Sequence, residues 1–438
     1  YLPFTTILEK AGYLVTREYY INDAGAQVDE LARSLYWRYC ELSGKVVGEM
    51  PDGLYPGDYL ISVAKKLMDR DGDCWNNLPE SEWLSVFRVY AVDSMMKKIR
   101  DDLSNIGINQ STFISERALV ESGMVQRVVD ILDDKNLVYN GVLEPPKGKK
   151  TADWEERPQT LFKSSQFGDD VDRPLKKADG TWTYFASDLA YHLDKNKRGF
   201  TNLINIWGAD HGGYVKRVSA GIEALTDGKA NLDVKLCQLV RLLEDGETAK
   251  MSKRAGNFVT LSELVNSVGK DVVRFIMLTR KNDAQLDFDL VKVLEQSRDN
   301  PIFYVQYAHA RSYSVVRMAN EIFPESDFSI ESLKSINLEL LKNKDEIALI
   351  KIIALWPRII ESAAESHEPH RLAFYLCELA AAFHSLWSKA KSDASLRFVI
   401  DDDLSLTQTR IALVLGMRTV VASGLEVMGI TPLEELRA

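Results

Sequence analysis

The hydrophobic pattern of the chain changes once, at Asp299-Asn300-Pro301. Before about residue 296, short apolar runs typical of strands alternate with helical patterns, whereas after Pro301 helical patterns follow one another with almost no strand signal. Repeated strand, turn and helix is the unit of a parallel, doubly wound sheet, which binds ligands at the carboxyl ends of its strands. Consecutive helices pack on one another instead. The sequence therefore predicts an α/β domain followed by a separate all-α domain.

Local patterns predict where the elements lie. Residues 14–21 and 203–207 have strand patterns, and residues 83–103 and 120–135 have helical spacing. Turn residues, among them Asn140-Gly141, indicate hairpins across the segment that precedes the 203–207 strand. Four long helices are expected in the C-terminal part, at residues 302–320, 337–364, 369–392 and 407–428.

Charge and cysteine content restrict the possible partners and the cellular compartment of the chain. The formal net charge is −10, which argues weakly against nucleic acid as a partner, so any nucleic acid would need a local basic face. Cys40, Cys74, Cys237 and Cys377 are scattered without a CxxC pair, which favours reduced thiols over disulfides or a zinc site. No apolar run approaches a membrane span, and no signal-peptide pattern is present. A cytoplasmic protein is expected.

The most informative short segment is residues 250–254, which we call the signature loop. It places Lys250 and Lys253 three residues apart, with Met251 and Ser252 between them and a glycine close behind. Lysine is a compact point charge on a flexible stem, and loop N–H groups can add donors to phosphate oxygens. A mobile loop that closes over a polyphosphate is one interpretation. A solvated basic turn is the other, and most short charge runs are of that kind.

A second candidate site is the helix start near Tyr184. Its spacing lets Tyr184 and Asp188 face one pocket, where a phenol and a carboxylate could hold a cationic side chain. Asp188 could form charge-assisted, bidentate hydrogen bonds with a guanidinium. Glu116, at the end of a short strand, could supply a second carboxylate. The alternative is that Ser187 or Asp188 simply caps the helix.

A third candidate site follows the 203–207 strand. Gly208 permits a close approach of a ligand to the backbone, and Asp210 can accept hydrogen bonds from ribose hydroxyls. His211 can donate to an amino acid carboxylate or to a phosphate. A short Gly-x-Asp sequence is weak evidence alone, but its place at a strand end strengthens the hypothesis.

Eight strings along the chain carry a family resemblance. They are REYYINDAGAQ (17–27), GLYPGDYL (53–60), LEPPKGKK (143–150), YFASDLAYH (184–192), IWGADHGGY (206–214), KMSKRAGNFVTL (250–261), DVVRFIMLTRKNDAQLDFD (271–289) and NPIFYVQYAHAR (300–311). Through these strings the chain resembles the bacterial arginyl-tRNA synthetases, which are class I aminoacyl-tRNA synthetases with a KMSKS-type loop.

The resemblance implies a fold and a division into domains. We expect a Rossmann-type nucleotide-binding catalytic domain over residues 1–240, with a connective insertion at about 44–180. A signature-loop and stem-contact region would follow at 241–296, and an α-helical anticodon-binding domain at 297–438.

The resemblance also implies substrates and site residues. ATP with Mg²⁺, L-arginine and tRNA(Arg) are the expected substrates and partners, no structural zinc is expected, and the protein is expected to be a monomer. Arginine binding is assigned to Tyr184, Asp188, Glu116 and His211, and ATP binding to Gly208, Asp210, Lys250, Met251 and Lys253. Catalysis is assigned to Lys250, Ser252 and Lys253, and tRNA contact to Tyr307, Ala308 and Arg311.

One departure from the family is the lack of an HxGH motif in these 438 residues. We therefore expect the natural protein to extend upstream, with a chain break or spatial jump within the first seven residues and an incomplete ATP pocket. Two other functions stay open. One is a class I synthetase for another amino acid, although neither a large editing insertion nor a zinc knuckle is present. The other is an inactive paralogue that only binds tRNA, which the missing motif favours and the intact loop opposes.

Overall fold

The computed structural model describes residues 2–45, 47–142, 158–177, 179–248 and 259–436. The signature loop and the string at 143–150 lie outside the described residues. Within the described ranges, no helix is both long and apolar enough to cross a membrane.

The first third of the chain pairs two short parallel strands and stacks three helices beside them. Its elements are α1 (Leu2–Lys10), β1 (Glu18–Ile21), α2 (Ala26–Leu42), α3 (Tyr59–Asp71), α4 (Glu80–Asn105) and β2 (Thr112–Ser115). Strand β1 pairs in parallel with β2 over four residues. Tyr36 stacks on Trp83 with ring centroids 3.8 Å apart, and Tyr39 and Phe87 are fully buried beside them. Only the second half of the predicted 14–21 strand finds a partner, so β1 is shorter than expected.

A small antiparallel sheet and three helices follow. They are α5 (Glu116–Glu121), α6 (Met124–Asp134), β3 (Val138–Gly141), β4 (Gln159–Phe162), β5 (Arg173–Pro174) and α7 (Tyr184–Lys197). The order β3-β4-β5 confirms the hairpins expected in this segment. The single helix predicted at 120–135 is wrong, because Gly123 has a φ of +77° and separates α5 from α6.

The next segment contains the second parallel pair and the strands around the signature loop. Its elements are β6 (Asn202–Gly208), α8 (Val215–Thr226), β7 (Asn231–Cys237), β8 (Val240–Glu244), β9 (Glu247–Thr248), α9 (Leu261–Val268), α10 (Lys270–Met277) and β10 (Leu286–Asp289). Strands β6 and β7 pair in parallel over seven residues, with α8 as the crossover. Strand β8 pairs in parallel with β10 and antiparallel with β9. In the described residues β1–β2 and β6–β7 form separate hydrogen-bonded pairs, and α7 packs between them.

The C-terminal part is all-helical, as the sequence predicts. It contains α11 (Pro301–Ile322), α12 (Ile330–Leu333), α13 (Lys344–Ala354), α14 (Trp356–Ser366), α15 (His370–Ser392) and α16 (Leu404–Val427). The helix expected at 337–364 is divided instead, because α13 ends at Ala354 and α14 begins with a proline in its first turn. Leu376, Phe383 and Val421 are fully buried in the core that α11, α15 and α16 share.

The expected break within the first seven residues is wrong. From Leu2 onward, α1 is one continuous helix, and Phe4, Ile7 and Leu8 form one apolar face of it at helical spacing. That face packs against α14 and α16, and the Thr6 hydroxyl donates to the Val427 carbonyl at 2.5 Å. Helix α1 therefore belongs to the helical core and does not enter the cleft described next.

Candidate arginine and ATP site

A cleft of about 520 Å³ opens where β6 ends and α7 begins. The chain leaves β6 through a 3₁₀ turn at Ala209–Tyr214, so the cleft lies at the carboxyl end of a parallel strand, as expected for this type of sheet. It is lined by Arg173, Pro174, Thr183, Tyr184, Phe185, Asp188, Trp207, His211, Tyr214 and Arg217.

The Asp188 side chain is free to serve this cleft because another residue caps its helix. Thr183 is the N-cap of α7, and its hydroxyl accepts a hydrogen bond from the Ala186 N–H at 3.3 Å. The interpretation of Ser187 or Asp188 as the cap is therefore wrong. One Asp188 oxygen, Oδ2, accepts from the Tyr214 hydroxyl at 2.6 Å. Burial raises the pKa of Asp188 to about 6.

Glu116 brings a second carboxylate to Asp188. It is the first residue of α5, directly after β2, and only 5% of it is exposed. Burial, together with the negative charge of Asp188, raises the pKa of Glu116 to about 7. Neither carboxylate forms an ion pair with any side chain in the described part of the chain. Asp188 lines the cleft and Glu116 is buried outside its lining, so the two carboxylates without a counter-cation make a site suited to a cationic ligand.

Sequence reasoning missed Asp23, which holds the corner where Glu116 begins. One oxygen of Asp23 accepts from the Ser115 hydroxyl at 2.6 Å, and the other accepts from the Arg117 N–H at 3.0 Å. These bonds connect the end of β1 to the start of α5. The sequence signal for Asp23 was the Asn22-Asp23 pair directly after the strand, but an ordinary turn has the same pattern.

Sequence reasoning also missed Tyr20 and Tyr214. The Tyr20 ring stacks on Tyr191 of α7, with centroids 4.6 Å apart, and its hydroxyl is buried without a hydrogen-bond partner among the described residues. Burial, and then the charges of Glu116 and Asp188, raise the pKa of Tyr20. Both phenols therefore lie within the field of the two carboxylates.

Tyr184 lines the cleft together with Asp188 and lies at its mouth. It is 55% exposed. Its hydroxyl is 3.4 Å from the position that a Cβ at Gly25 would take, and Gly25 has a φ of +87° at the start of α2. Tyr184 therefore forms a wall of the entrance, facing α2.

The predicted ATP residues Gly208 and Asp210 lie together at the end of β6. A Cβ at Gly208 would come within 2.4 Å of the Asp210 carboxylate, so glycine leaves room for that side chain. The Asp210 side chain is 82% exposed, and its Oδ2 is 3.7 Å from His211 Nε2. His211 faces the cleft, while Lys250, Met251, Ser252 and Lys253 lie outside the described residues. Over those same ranges, no group of three or more His, Cys, Asp or Glu side chains is placed to hold a metal ion.

The residues predicted to contact tRNA lie on α11. The Arg311 guanidinium lies over the Tyr307 ring at 4.1 Å and the Trp387 ring at 4.9 Å, and it donates to His384 at 2.9 Å. Tyr307 is partly exposed, whereas Ala308 is fully buried. Ala308 therefore packs beneath this surface and does not form part of it.

Comparison with known proteins identifies the fold and the family. Residues 305–436 match the DALR anticodon binding domain family. A Mycobacterium tuberculosis methionyl-tRNA synthetase structure superposes with a TM-score of 0.54 at 11% identity, covering 94% of this chain and 92% of its own. The fold is that of a class I aminoacyl-tRNA synthetase, with a Rossmann-like catalytic core and a helical anticodon-binding domain.

More similar proteins specify the family. The arginine–tRNA ligase of Rhodospirillum rubrum is 54% identical over 98% of this chain and 74% of its own length. That of Methylobacterium sp. (strain 4-46) is 56% identical with the same coverage. The Thermus thermophilus arginyl-tRNA synthetase structure has a TM-score of 0.67 at 20% identity, over 99% of this chain and 78% of its own. This chain belongs to the arginyl-tRNA synthetase family.

Proposed function

We infer that this chain is an arginine–tRNA ligase, which activates L-arginine with ATP and transfers it to tRNA(Arg). Its relatives carry that name at more than half identity over nearly the whole chain. The single structural observation that supports arginine as the amino acid is a pair of neighbouring carboxylates, the buried Glu116 and the cleft-lining Asp188, which have no counter-cation among the described residues. A planar guanidinium with five N–H donors satisfies two carboxylates at once.

The proposed arginine pocket has a charged floor and an open mouth. Asp188, oriented by the Tyr214 hydroxyl, and Glu116 would bind the guanidinium. Tyr184 would cover the aliphatic part of the substrate at the entrance. His211, on the side of the cleft nearer β6, would donate to the α-carboxylate. This arrangement would direct the carboxylate toward the ATP-binding residues at the end of β6.

The ATP site is proposed at Gly208, Asp210 and the signature loop. Asp210 would accept from the ribose, and Lys250, Met251 and Lys253 would surround the triphosphate, which enters as its Mg²⁺ complex. The arginine carboxylate attacks the α-phosphate of ATP, which gives arginyl-adenylate and releases pyrophosphate. The acyl group then passes from the adenylate to the terminal ribose of tRNA, and AMP leaves. Lys250, Ser252 and Lys253 would stabilise charge that develops on the phosphates, so catalysis would rest on positioning and electrostatics.

The remaining proposals concern tRNA and setting. We propose that residues 297–438 bind the anticodon arm through a face that includes Tyr307 and Arg311, that residues 1–240 form the catalytic domain, and that 241–296 contact the stem. A cytoplasmic monomer without structural zinc is proposed as well. The four cysteines support a reducing compartment, since all are free thiols.

The arginine pocket is tested by Asp188→Ala. Removing one member of a buried charge site costs roughly 3–5 kcal/mol, so arginine use should fall by about two to four decades. Steady-state aminoacylation gives kcat/KM for arginine. Asp194→Ala is the matched control, because Asp194 lies on the same helix but pairs with Arg198 away from the cleft. Near-normal arginine kinetics in Asp188→Ala would exclude the assignment, and tRNA binding without any activity in the parent chain would favour the inactive paralogue.

The signature loop is tested by Lys253→Ala. Because its lysine would meet the triphosphate fully only after the loop closes, the variant should lower kcat more than it raises the KM for ATP. Arg254→Ala, one residue further along, serves as the control for loss of a neighbouring charge. An unchanged kcat with a raised KM would make the loop a docking element.

A further inference from the structure

Lys195 is a buried cation behind the proposed arginine pocket. It lies on α7, seven residues after Asp188, and is only 9% exposed. Its Nζ is 4.0 Å from the centroid of the Tyr191 ring and 3.4 Å from the Asn205 side-chain oxygen. Within the described ranges, no carboxylate lies within ion-pairing distance of Lys195. The buried ammonium of Lys195 therefore contacts an aromatic ring face and an amide oxygen but forms no ion pair among the described residues.

Two of the carboxylates whose charges act on Lys195 are bound by other groups. Glu18 accepts from the Tyr191 hydroxyl at 3.0 Å and pairs with Arg198. Asp194 pairs with the same Arg198 at 2.8 Å. The ammonium and Asp188 lie about two helical turns apart on α7, and their charges act on each other. The place of Lys195 in the last turn of α7 also suits a cation, because the helix dipole is negative there.

The imidazole of His192, which lies between Asp188 and Lys195 along α7, is neutral. His192 Nδ1 donates to the Asp188 carbonyl at 2.7 Å, and its Nε2 accepts from the Asn205 amide at 2.7 Å. Burial, and then the charge of Lys195, lower the pKa of His192 to about 3. His192 therefore aligns α7 with β6 but adds no positive charge to the pocket.

We propose that Lys195 is a positioning residue of the arginine pocket, whose buried ammonium keeps Asp188 ionised and so ready for the guanidinium without occupying the carboxylate. This inference rests on the proposed function. A cation in direct contact with Asp188 would compete with the substrate, whereas one about two helical turns away acts only through its field.

The groups that face Asp188 act in opposite directions on its charge. Burial raises its pKa, while the Tyr214 hydroxyl, His211 and Lys195 lower it. Lys195 stays largely charged at neutral pH, because its pKa is lowered by burial only to about 8, with Glu18, Asp188 and Asp194 opposing the shift and Arg198 adding to it. The other titratable groups near Asp188 are Glu116 from α5, Tyr20 from β1 and Asp23 after β1.

The test measures arginine affinity of the full chain by calorimetry between pH 5.5 and 8.5. Lys195→Met and Lys195→Gln should shift the rise of affinity with pH upward by roughly one unit. Affinity near pH 6 should then fall about fivefold, while affinity at pH 8.5 changes less than twofold. Lys195→Arg should restore the parental profile. Lys197→Met, an exposed lysine in the same last turn, is the matched control and should not move it.

Three outcomes separate the possibilities. An equal loss of affinity at every pH in a folded neutral variant would assign Lys195 a structural role and overturn the inference, as would an unchanged profile. Asp188→Asn in the same assay tests the pocket itself. If Asp188→Asn abolishes binding but no Lys195 variant shifts the profile, only this inference fails. If Asp188→Asn binds arginine normally, the pocket assignment fails and the inference with it.

Discussion

Glu116 and Asp188 belong to different helices, but burial affects the pKa of both carboxyl groups in the same direction. Glu116 begins α5 and Asp188 lies in the second turn of α7. Burial raises the pKa of both, to about 7 and about 6. Binding of a cation in this pocket should therefore depend on whether these two carboxyl groups are protonated.

Arginine affinity should rise with pH between about 5.5 and 7.5 and then level off. A carboxyl group with a raised pKa keeps its proton to a higher pH, and a guanidinium binds the ionised form, so binding expels protons within that pH range. Calorimetry at pH 6.5 in two buffers of different ionisation enthalpy measures the proton release. It should approach zero at pH 8.5, and Glu116→Gln should remove the upper part of the profile. A flat profile from pH 5.5 to 8.5 would contradict this prediction.

At the scale of elements, Arg274 of α10 joins two helix ends. Its buried guanidinium donates to the Met428 carbonyl after α16 and, at 2.7 Å, to the Ile106 carbonyl after α4. Carbonyls at helix C-termini carry partial negative charge, so they stabilise a cation without a carboxylate. Gly429 makes room for it, since a Cβ there would lie 2.2 Å from the guanidinium.

Gly429→Ala should therefore destabilise the protein more than a matched change at Gly228. Both glycines have a φ of +69°, but nothing lies within 4 Å of a Cβ at Gly228. Gly228→Ala should cost about 1 kcal/mol from backbone strain alone. Gly429→Ala should cost about 2–3 kcal/mol more, because the guanidinium must leave its carbonyls. Thermal unfolding of the two variants measures the difference, and equal melting temperatures would show that Arg274 moves without loss.

At the scale of the whole molecule, the α/β part meets the helical part through a charged contact. His367, just after α14, bonds to Asp233 of β7, and Lys235 reaches Asp233 at 2.9 Å and the Ser366 carbonyl at 3.4 Å. Burial raises the pKa of Asp233, but these two partners lower it further than burial raises it. The C-terminal end of α14 is thereby held against the sheet that carries the proposed ATP residues.

Binding of tRNA should weaken with salt despite the net charge of −10, because only a local basic face need meet the phosphates. The log–log slope should be on the order of −2 to −5, and Arg311→Ala should reduce its magnitude by about 1. Filter binding at several salt concentrations measures this slope. Lys351→Ala on α13 is the control. Affinity that does not respond to salt would rule out phosphate contacts as the basis of binding.

Local patterns determined much of this protein. The change at Pro301, the spacing of apolar residues and the eight strings predicted an α/β part, a helical part and the family, because each of these signals lies within a few turns of chain. The same patterns failed where a single residue ends a helix. The division of the 337–364 helix and the break at Gly123 depend on such residues, and the spacing of apolar residues does not reveal them.

Only the tertiary structure decided how the pocket is composed. Tyr20, Asp23, Glu116, Asp188 and Tyr214 are spread over nearly two hundred residues, and no periodic signal relates them. They meet because α7 packs against both β1 and β6, through the Tyr20–Tyr191 stack on one side and the Lys195–Asn205 contact on the other. Burial then sets their charges, since the pKa of a carboxyl group depends on the water that packing excludes, which a sequence does not state.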